Sequence, residues 1–199
     1  MTKKNNGGKI LIAWFGGMVI ALIAGVVVMS IRKDGKKVIP NILPVKKEKS
    51  VTDMNISKNG LDFIKSKESL RTTSYKDSGG KLTIGYGHTG EDVKSGMTIT
   101  EKEAEEIFAD DVKIRVDAVK KALIDKGVQY VPQHVFDMFV SHRFNTGENI
   151  NPILHYIDWG NTQTLWDWWV THYITVKGNP SDGLVNRRTA EMEILKKGY

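Results

Sequence analysis

Glu68 and Asp77 are the residues whose types and spacing first suggest chemistry. Asp77 follows Glu68 by nine residues and lies in the run KDSGGK at residues 76–81, which is typical of a turn between two short strands. Two carboxyl groups that a fold brings together can share glycoside hydrolysis, since one protonates the leaving oxygen and the other activates water or attacks carbon. Spacing alone is weak evidence, because most acidic residues lie on the surface.

The strand predicted after this turn has one face with almost no side chains. Its large and small residues alternate as Leu82, Ile84, Tyr86 and His88 against Thr83, Gly85 and Gly87. A bare face lets a bulky molecule approach the backbone closely. Thr83 lies on this bare face, beside the two glycines.

Helix signals surround the predicted hairpin. Ser57 can cap a helix that ends near Glu68, and Thr100 with Glu103 forms a capping box for a helix that reaches about Lys126. Pro132 can open the next helix, and shorter helical patterns cover 152–158, 162–172 and 183–197, the last ending at Gly198. The predicted fold class is α+β, mostly helical with one small antiparallel sheet near the N-terminus of the domain.

The N-terminal quarter of the chain has a different character. Residues 1–9 form a basic tail, residues 10–31 contain no charge, and residues 32–53 form a basic linker before a domain at 54–199. A helix over 22 residues spans roughly 30 Å, so residues 10–31 are predicted to be a transmembrane helix or signal-anchor. A cleaved signal peptide is the alternative, although its apolar region is normally shorter.

Charge is divided unevenly along the chain. Residues 1–58 hold 11 of the 29 Lys and Arg residues but only 3 of the 23 Asp and Glu residues. The larger part is therefore nearly neutral, and we expect no nucleic-acid binding, which usually needs a basic face on the folded domain. Lysines and arginines flank the apolar segment on both sides, and their count slightly favours a cytoplasmic C-terminal domain.

Three stretches of sequence carry a family resemblance. The first consists of ESLR at 68–71, YKD at 75–77 and GKLTIGYGHT at 80–89; the others are FNTG at 144–147 and GLVNRRTAE at 183–191. Together they resemble the bacteriophage lysozymes, family 24 of the glycoside hydrolases, over residues 54–199. That family has a Glu, an Asp nine residues on and a Thr six residues further, and Glu68, Asp77 and Thr83 match this register.

The resemblance implies a lysozyme-like fold and an inverting muramidase, which cuts the β-1,4 bond between N-acetylmuramic acid and N-acetylglucosamine of bacterial peptidoglycan. Glu68 would be the general acid and must hold its proton near neutral pH. Asp77, helped by Thr83, would activate the attacking water. Thr89 and Phe144 fall where family members contact the glycan, so they are candidate substrate-binding residues. No metal or cofactor is implied, and we expect a monomer.

Several other residues have plainer interpretations. His88 is expected to be a structural histidine paired with an acid, and Arg187 and Arg188 are expected to form ion pairs on a helix surface. Trp159, Trp166, Trp168 and Trp169 are expected in the core, because they recur at helical spacing. Ser69 stands where the family usually has Gly, and it would be strained if that position required a left-handed backbone.

The leading hypothesis is a phage endolysin that hydrolyses peptidoglycan and lyses the host cell. It would be held at the host inner membrane through residues 10–31, with the catalytic domain in the periplasm, and released from there. The first alternative is a membrane-anchored cell-wall-binding protein without catalysis, although all three catalytic residues are present. A protein anchored with its domain in the cytoplasm is the second alternative, and it rests on the charge count alone.

Overall fold

The computed structural model describes residues 11–15, 18–23, 26–27, 30–31, 37–38, 49–77, 79–158 and 162–199. Its helices are a 3₁₀ turn at Val51–Asp53 and α1 Lys58–Lys67, α2 Glu101–Asp125, α3 Gln133–Thr146, α4 Asn151–Asp158, α5 Thr162–Thr171 and α6 Asp182–Lys197. Its strands are β1 Leu11–Phe15, β2 Met18–Ile23, β3 Val26–Val27, β4 Ser30–Ile31, β5 Lys37–Val38, β6 Lys49–Ser50, β7 Arg71–Lys76, β8 Leu82–Gly85, β9 Tyr130–Val131, β10 Thr175–Val176 and β11 Asn179–Pro180. The α+β class is thus observed, with several small antiparallel sheets where the sequence predicts one.

The apolar segment at residues 10–31 differs from the helix predicted for it. Its described residues are strands β1 to β4, and β1 pairs with β2 so that Phe15 lies opposite Met18. Many β-branched residues in this segment favour strands over a helix, which is the physical reason for the difference. No helix within the described residues combines the length and apolarity that a membrane crossing requires.

The folded domain begins earlier than residue 54. Strand β6 pairs with β9, and the Val51 N–H donates to the Gln129 carbonyl at 2.8 Å. Val51 and Met54 are both buried in the main core. The last five residues of the predicted linker at 32–53 therefore belong to the domain, which buries Val51.

Helix α1 starts as its sequence predicts. The Ser57 side chain accepts the Gly60 N–H at 3.1 Å, which satisfies one of the free donors at the helix N-terminus. Asp137 of α3 also accepts the Ser57 N–H at 3.0 Å, so the start of α1 is tied to the middle of α3. This attachment fixes the direction of α1 and hence the position of Glu68, its C-terminal cap.

The hairpin of β7 and β8 forms around the predicted turn, but β8 is shorter than predicted. Tyr75 lies opposite Thr83, and the strand ends at Gly85, after which His88 folds back to bridge Ile84. Gly85 has a φ of 64° and Gly87 a φ of 93°. These left-handed values are costly for other residues, so the two glycines serve a tight turn rather than one continuous strand.

Two clusters of buried apolar residues pack against the elements that carry the candidate site. The larger one lies between α1 to α6 and contains most of the apolar residues of α2 and α3, such as Phe108 and Phe139. The smaller one lies under the hairpin and consists of Ile84, Val93, Ile99 and Ala104. The hairpin is thereby packed on the start of α2, and its turn stays at the surface.

Candidate active site

Glu68 lies where helix α1 ends, and Arg187 of α6 binds it. Arg187 Nη1 donates to Glu68 Oε1 at 2.5 Å across 119 residues of sequence. The Glu68 side chain is 21% exposed and that of Arg187 only 5%. The carboxyl group is therefore partly buried, and one of its oxygens is held by a buried guanidinium.

The second oxygen of Glu68 points toward the glycine turn. A Cβ added to Gly87 would lie 3.7 Å from Glu68 Oε2. A Cβ on Gly85 would instead meet Ala104 and Ile99 of the small cluster. The bare face predicted from the alternation is thus open at Gly87 and closed at Gly85, because Gly85 faces the start of α2.

Asp77 and Thr83 are both held by the backbone of Lys81. The Lys81 N–H donates to Asp77 Oδ1 at 2.8 Å, and the Thr83 hydroxyl donates to the Lys81 carbonyl at 3.1 Å. The same carbonyl accepts the Asp77 N–H at 2.9 Å. Thr83 is buried and Asp77 is half-buried. The turn therefore fixes the two side chains relative to each other.

Tyr75 has a pKa that responds to both candidate carboxylates. It lies opposite Thr83 in the hairpin, between Glu68 and Asp77 in sequence. Burial raises the pKa of its hydroxyl, Arg71 lowers it, and the charges of Glu68 and Asp77 both raise it further. The charges of both candidate carboxylates therefore act on the same hydroxyl.

Arg187 contacts the candidate general acid, which the sequence did not reveal. It and Arg188 are buried, not on a helix surface as predicted, although both form the expected ion pairs, with Glu191 of the same helix. Ser141 and Trp169 also donate to Glu191. The only hint in the sequence was the R-R-x-x-E spacing, which puts Glu191 one turn from both arginines.

His88 is paired as predicted. Its Nδ1 lies 2.8 Å from Asp111 Oδ2 and its Nε2 lies 3.0 Å from Asp92 Oδ2. Burial by itself lowers the pKa of His88, but the hydrogen bonds to Asp111 and Asp92 outweigh it and raise the pKa above its usual value. His88 therefore braces the loop after the glycine turn against α2.

The two candidate substrate contacts have different surroundings. Thr89 is exposed in the loop after the turn, whereas the ring of Phe144 packs edge-on against Phe108 at 5.5 Å. Arg115 also lies over the Phe144 ring, at 5.8 Å from its centre. No hydrogen bond, ion pair or ring contact in the described part of the chain joins either residue to Glu68 or Asp77.

The expectations for the tryptophans and for Ser69 have clear outcomes. Trp168 and Trp169 are buried in the core as predicted, while Trp159 and the side chain of Trp166 fall outside the described residues. Among the described residues other than glycine, only Tyr173 and Lys177 have positive φ, so Ser69 has no left-handed strain. The described residues contain no group of three His, Asp or Glu side chains placed to hold a metal ion.

Comparisons with known proteins identify relatives of this chain. A family model for phage lysozymes matches residues 65–191. The endolysin of Bacillus phage PZA is 37% identical over 150 residues, covering 73% of this chain and 56% of that protein. A solved structure, the endolysin from Escherichia coli O157:H7 phage FAHEc1, has 37% identity and a TM-score of 0.59, covering 71% of this chain and 93% of its own.

A more distant relative bears on the N-terminal segment. The SAR-endolysin of Bacteriophage PS119 is 27% identical over 131 residues, covering 64% of this chain and 75% of that protein. The chain spans about half the length of the Bacillus phage endolysins that it matches. The family model, however, covers well over half of this chain and includes the whole of the site described above. The chain therefore belongs to the phage lysozyme family.

Proposed function

We propose that this protein is an endolysin that hydrolyses bacterial peptidoglycan at the β-1,4 bond between N-acetylmuramic acid and N-acetylglucosamine. The observation that carries the proposal is the setting of Glu68, with Arg187 on one carboxyl oxygen and the open Gly87 turn beside the other. Two carboxyl groups flanking one space are what hydrolysis of a glycosidic bond needs. Relatives named endolysins, from phages of several hosts, support the same activity.

Glu68 is proposed as the general acid, and its Oε2 as the oxygen that carries the proton. Arg187 occupies Oε1, and a carboxyl oxygen that accepts a hydrogen bond from a guanidinium is a poor place for a proton. The proton would pass from Oε2 to the glycosidic oxygen as the bond from that oxygen to the anomeric carbon breaks. The new hydroxyl then belongs to the departing N-acetylglucosamine.

Asp77, with Thr83, is proposed to activate the water that attacks the anomeric carbon. Lys81 holds Asp77 by its Oδ1, which directs the carboxylate in one fixed orientation. Asp77 would take one proton from the water, whose oxygen joins carbon on the face opposite the leaving group. The Thr83 hydroxyl donates its hydrogen bond to the Lys81 carbonyl, so toward that water its oxygen can only accept a hydrogen bond.

Analysis of the products tests this proposal. We expect the full chain, incubated with purified peptidoglycan, to create reducing ends on N-acetylmuramic acid, and these ends to appear first as the inverted α-anomer. Borohydride reduction followed by mass spectrometry identifies the sugar, and proton NMR during the reaction gives the anomer. Reducing ends on N-acetylglucosamine would refute the assigned bond, and a first β-anomer would refute direct attack by water. Binding without new ends would favour the non-catalytic cell-wall-binding protein.

We further propose that residues 10–31 insert in the host inner membrane as a single-pass segment, with the catalytic domain in the periplasm, and that the protein is later released. The uncharged length of this segment supports insertion, as does the SAR-endolysin relative. A single segment in lipid satisfies its backbone groups only as a helix, so the segment would be helical there.

Fractionation of cells that produce the full chain tests the location. We expect the protein to sediment with the inner membrane and to become sensitive to protease when the outer membrane is opened. The variant Ile20→Lys, which places a charge at the centre of the segment, should lose both properties. A full chain that stays with the soluble cytoplasmic fraction would contradict membrane insertion, and a protease-resistant domain would favour the cytoplasmic orientation.

A further inference from the structure

We propose that Glu191 is a positioning residue that sets, through Arg187, the electrostatic potential at Glu68. This inference rests on the proposed function, in which Glu68 is the general acid. Arg187 lies between two carboxylates: its Nη1 donates to Glu68 Oε1 at 2.5 Å and its Nε faces Glu191 Oε1 at 3.4 Å. A buried guanidinium with a single carboxylate partner would hold Glu68 strongly in its charged form.

The carboxylate of Glu191 is held in one orientation by four donors. Its Oε1 accepts the Ser141 hydroxyl at 2.7 Å in addition to Arg187, and its Oε2 accepts the Trp169 indole N–H at 3.1 Å and Arg188. Its side chain is completely buried. Such a group cannot turn away from Arg187, and neither of its oxygens is screened by solvent.

Charge balance explains why this position needs an acid. Two buried arginines and one buried glutamate leave one net positive charge beside Glu68. Without Glu191, the charge of Arg187 on Glu68 would be unopposed, and Arg188 would add to it from the next position of the helix. Both effects would stabilise the Glu68 carboxylate, which cannot donate a proton. Glu191 thus allows Arg187 to orient Glu68 while leaving Glu68 able to hold a proton.

Apart from Arg71 and Asp77 on the hairpin side, which neither substitution below changes, the other groups that face this network add no charge of their own. From α3, His142 is buried beside both arginines, and burial followed by the charges of Arg188 and Arg187 lowers its pKa to about 3, so it is neutral. From α5, the contact is the indole of Trp169. From the hairpin, Tyr75 faces Glu68 and has a raised pKa, so it is also neutral at ordinary pH.

Two substitutions should shift the pH dependence in opposite directions. Glu191→Gln removes the negative charge, so the alkaline limb of the kcat/KM profile should move down by about 1 pH unit. Arg188→Gln removes a positive charge and leaves Arg187 as the charged partner of Glu191, so the same limb should move up. A merely structural role would lower stability in both variants without opposite shifts.

The experiment measures kcat/KM on solubilised peptidoglycan from pH 4 to 9 for the full chain and its variants. Thr189→Ala, an exposed position of the same helix, is the matched control and should keep the parental profile. The double variant Glu191→Gln with Arg188→Gln removes one charge of each sign, so its limb should return near that of the parent. Circular dichroism shows whether Glu191→Gln folds. If it does not, the upward shift of the alkaline limb in Arg188→Gln and the return of that limb in the double variant still test the proposal.

The outcomes separate this inference from the proposed function. One outcome is that the parent forms reducing ends, Glu68→Gln forms none, and the alkaline limb does not move in Arg188→Gln or Glu191→Gln. This outcome would overturn the role of Glu191 but would agree with the proposed muramidase activity. Limbs that move in the same direction would overturn it as well. A folded parent that releases no sugar ends at any pH would overturn the proposed function itself.

Discussion

At the scale of single residues, the ion pairs of His88 give a stability effect whose sign follows from its pKa. His88 has a raised pKa in the folded protein, so its interaction with Asp111 and Asp92 stabilises the fold fully below its unfolded pKa of about 6.5. That stabilisation is lost as the pH rises through the raised folded value. The half-buried pairing with Asp111 should account for most of it.

We predict that Asp111→Asn lowers the free energy of unfolding by about 1.5 kcal/mol more at pH 5.5 than at pH 10, because a hydrogen bond to a charged partner is lost only at the lower pH. Urea unfolding at the two pH values measures this difference. Asp92→Asn is the control and should show a smaller difference, since Asp92 is 67% exposed. Equal losses for Asp111→Asn at both pH values would contradict the assigned ion pair.

The sequence predicts the candidate chemistry of single residues better than their surroundings. Glu68, Asp77 and Thr83 follow from a register along one short stretch, because the hairpin is local. Arg187 comes from 119 residues away, and its approach to Glu68 depends on how α6 packs on the domain. The spacing of residues along one stretch does not show how a distant helix packs. The two buried arginines were therefore expected on a helix surface.

At the scale of elements, Asp137 attaches α1 and the C-terminus to α3. It is fully buried and accepts hydrogen bonds from the Ser57 N–H and hydroxyl, from Gln133 and from the Tyr199 hydroxyl. Burial, then the Asp137 charge, raises the pKa of Tyr199. Gly60 packs directly on Asp137, and a Cβ there would lie 2.8 Å from its carboxyl carbon.

We predict that Asp137→Ala lowers the free energy of unfolding by about 3 kcal/mol, because several donors lose their acceptor in a buried place. Ser57→Ala removes the N-cap and should cost only about 1 kcal/mol. Thermal unfolding followed by circular dichroism measures both, and about 10 °C is expected for Asp137→Ala. A loss no greater than that of Ser57→Ala would contradict the central place of Asp137.

Caps and turns are the elements that the sequence predicts well. Ser57, the capping box of Thr100 and Glu103, and the stop at Gly198 all occur as expected, because each is decided within one turn of helix. Strand β8 was predicted too long, since alternation of size does not reveal the positive φ of Gly85. The segment at 10–31 has a length that suits a helix but β-branched residues and glycines that suit hairpins, so composition alone does not decide.

At the scale of the whole molecule, His142 should control stability in acid. It is buried with neither ring nitrogen hydrogen-bonded within the described residues, and its pKa is lowered to about 3 by burial and then by Arg188 and Arg187. The unfolded chain binds this proton below about pH 6.5 and the folded chain does not. The stability that His142 contributes is therefore present above about 6.5 and lost as the pH falls toward 3.

We predict that the variant His142→Phe unfolds less readily in acid than the parent. One linked proton changes the free energy of unfolding by about 1.4 kcal/mol per pH unit, and this slope should disappear between pH 6 and 4. The ring of Phe fits among Trp168, Trp169 and Tyr173, which already surround His142. Urea unfolding at three pH values gives the slope, and an unchanged slope would show that His142 is protonated in the fold.

The plan of the whole molecule was only partly predictable. The α+β class follows from helix signals around one hairpin, whereas the start of the domain at Lys49 depends on the pairing of β6 with β9, residues about 80 apart. Val51 is a single valine after a lysine run, and nothing local indicates that it is buried. Long-range pairing of two-residue strands leaves almost no signal in composition.

The most direct test of the central claim compares the full chain with Glu68→Gln on isolated peptidoglycan, by turbidity and by newly formed reducing ends. The Gln side chain keeps the size of Glu68 and can still accept from Arg187, so the fold should be retained while the transferable proton is lost. We predict clearing and new ends with the parent, and a loss of at least about a hundredfold in the variant. A folded variant that releases ends at the parental rate would contradict Glu68 as the general acid.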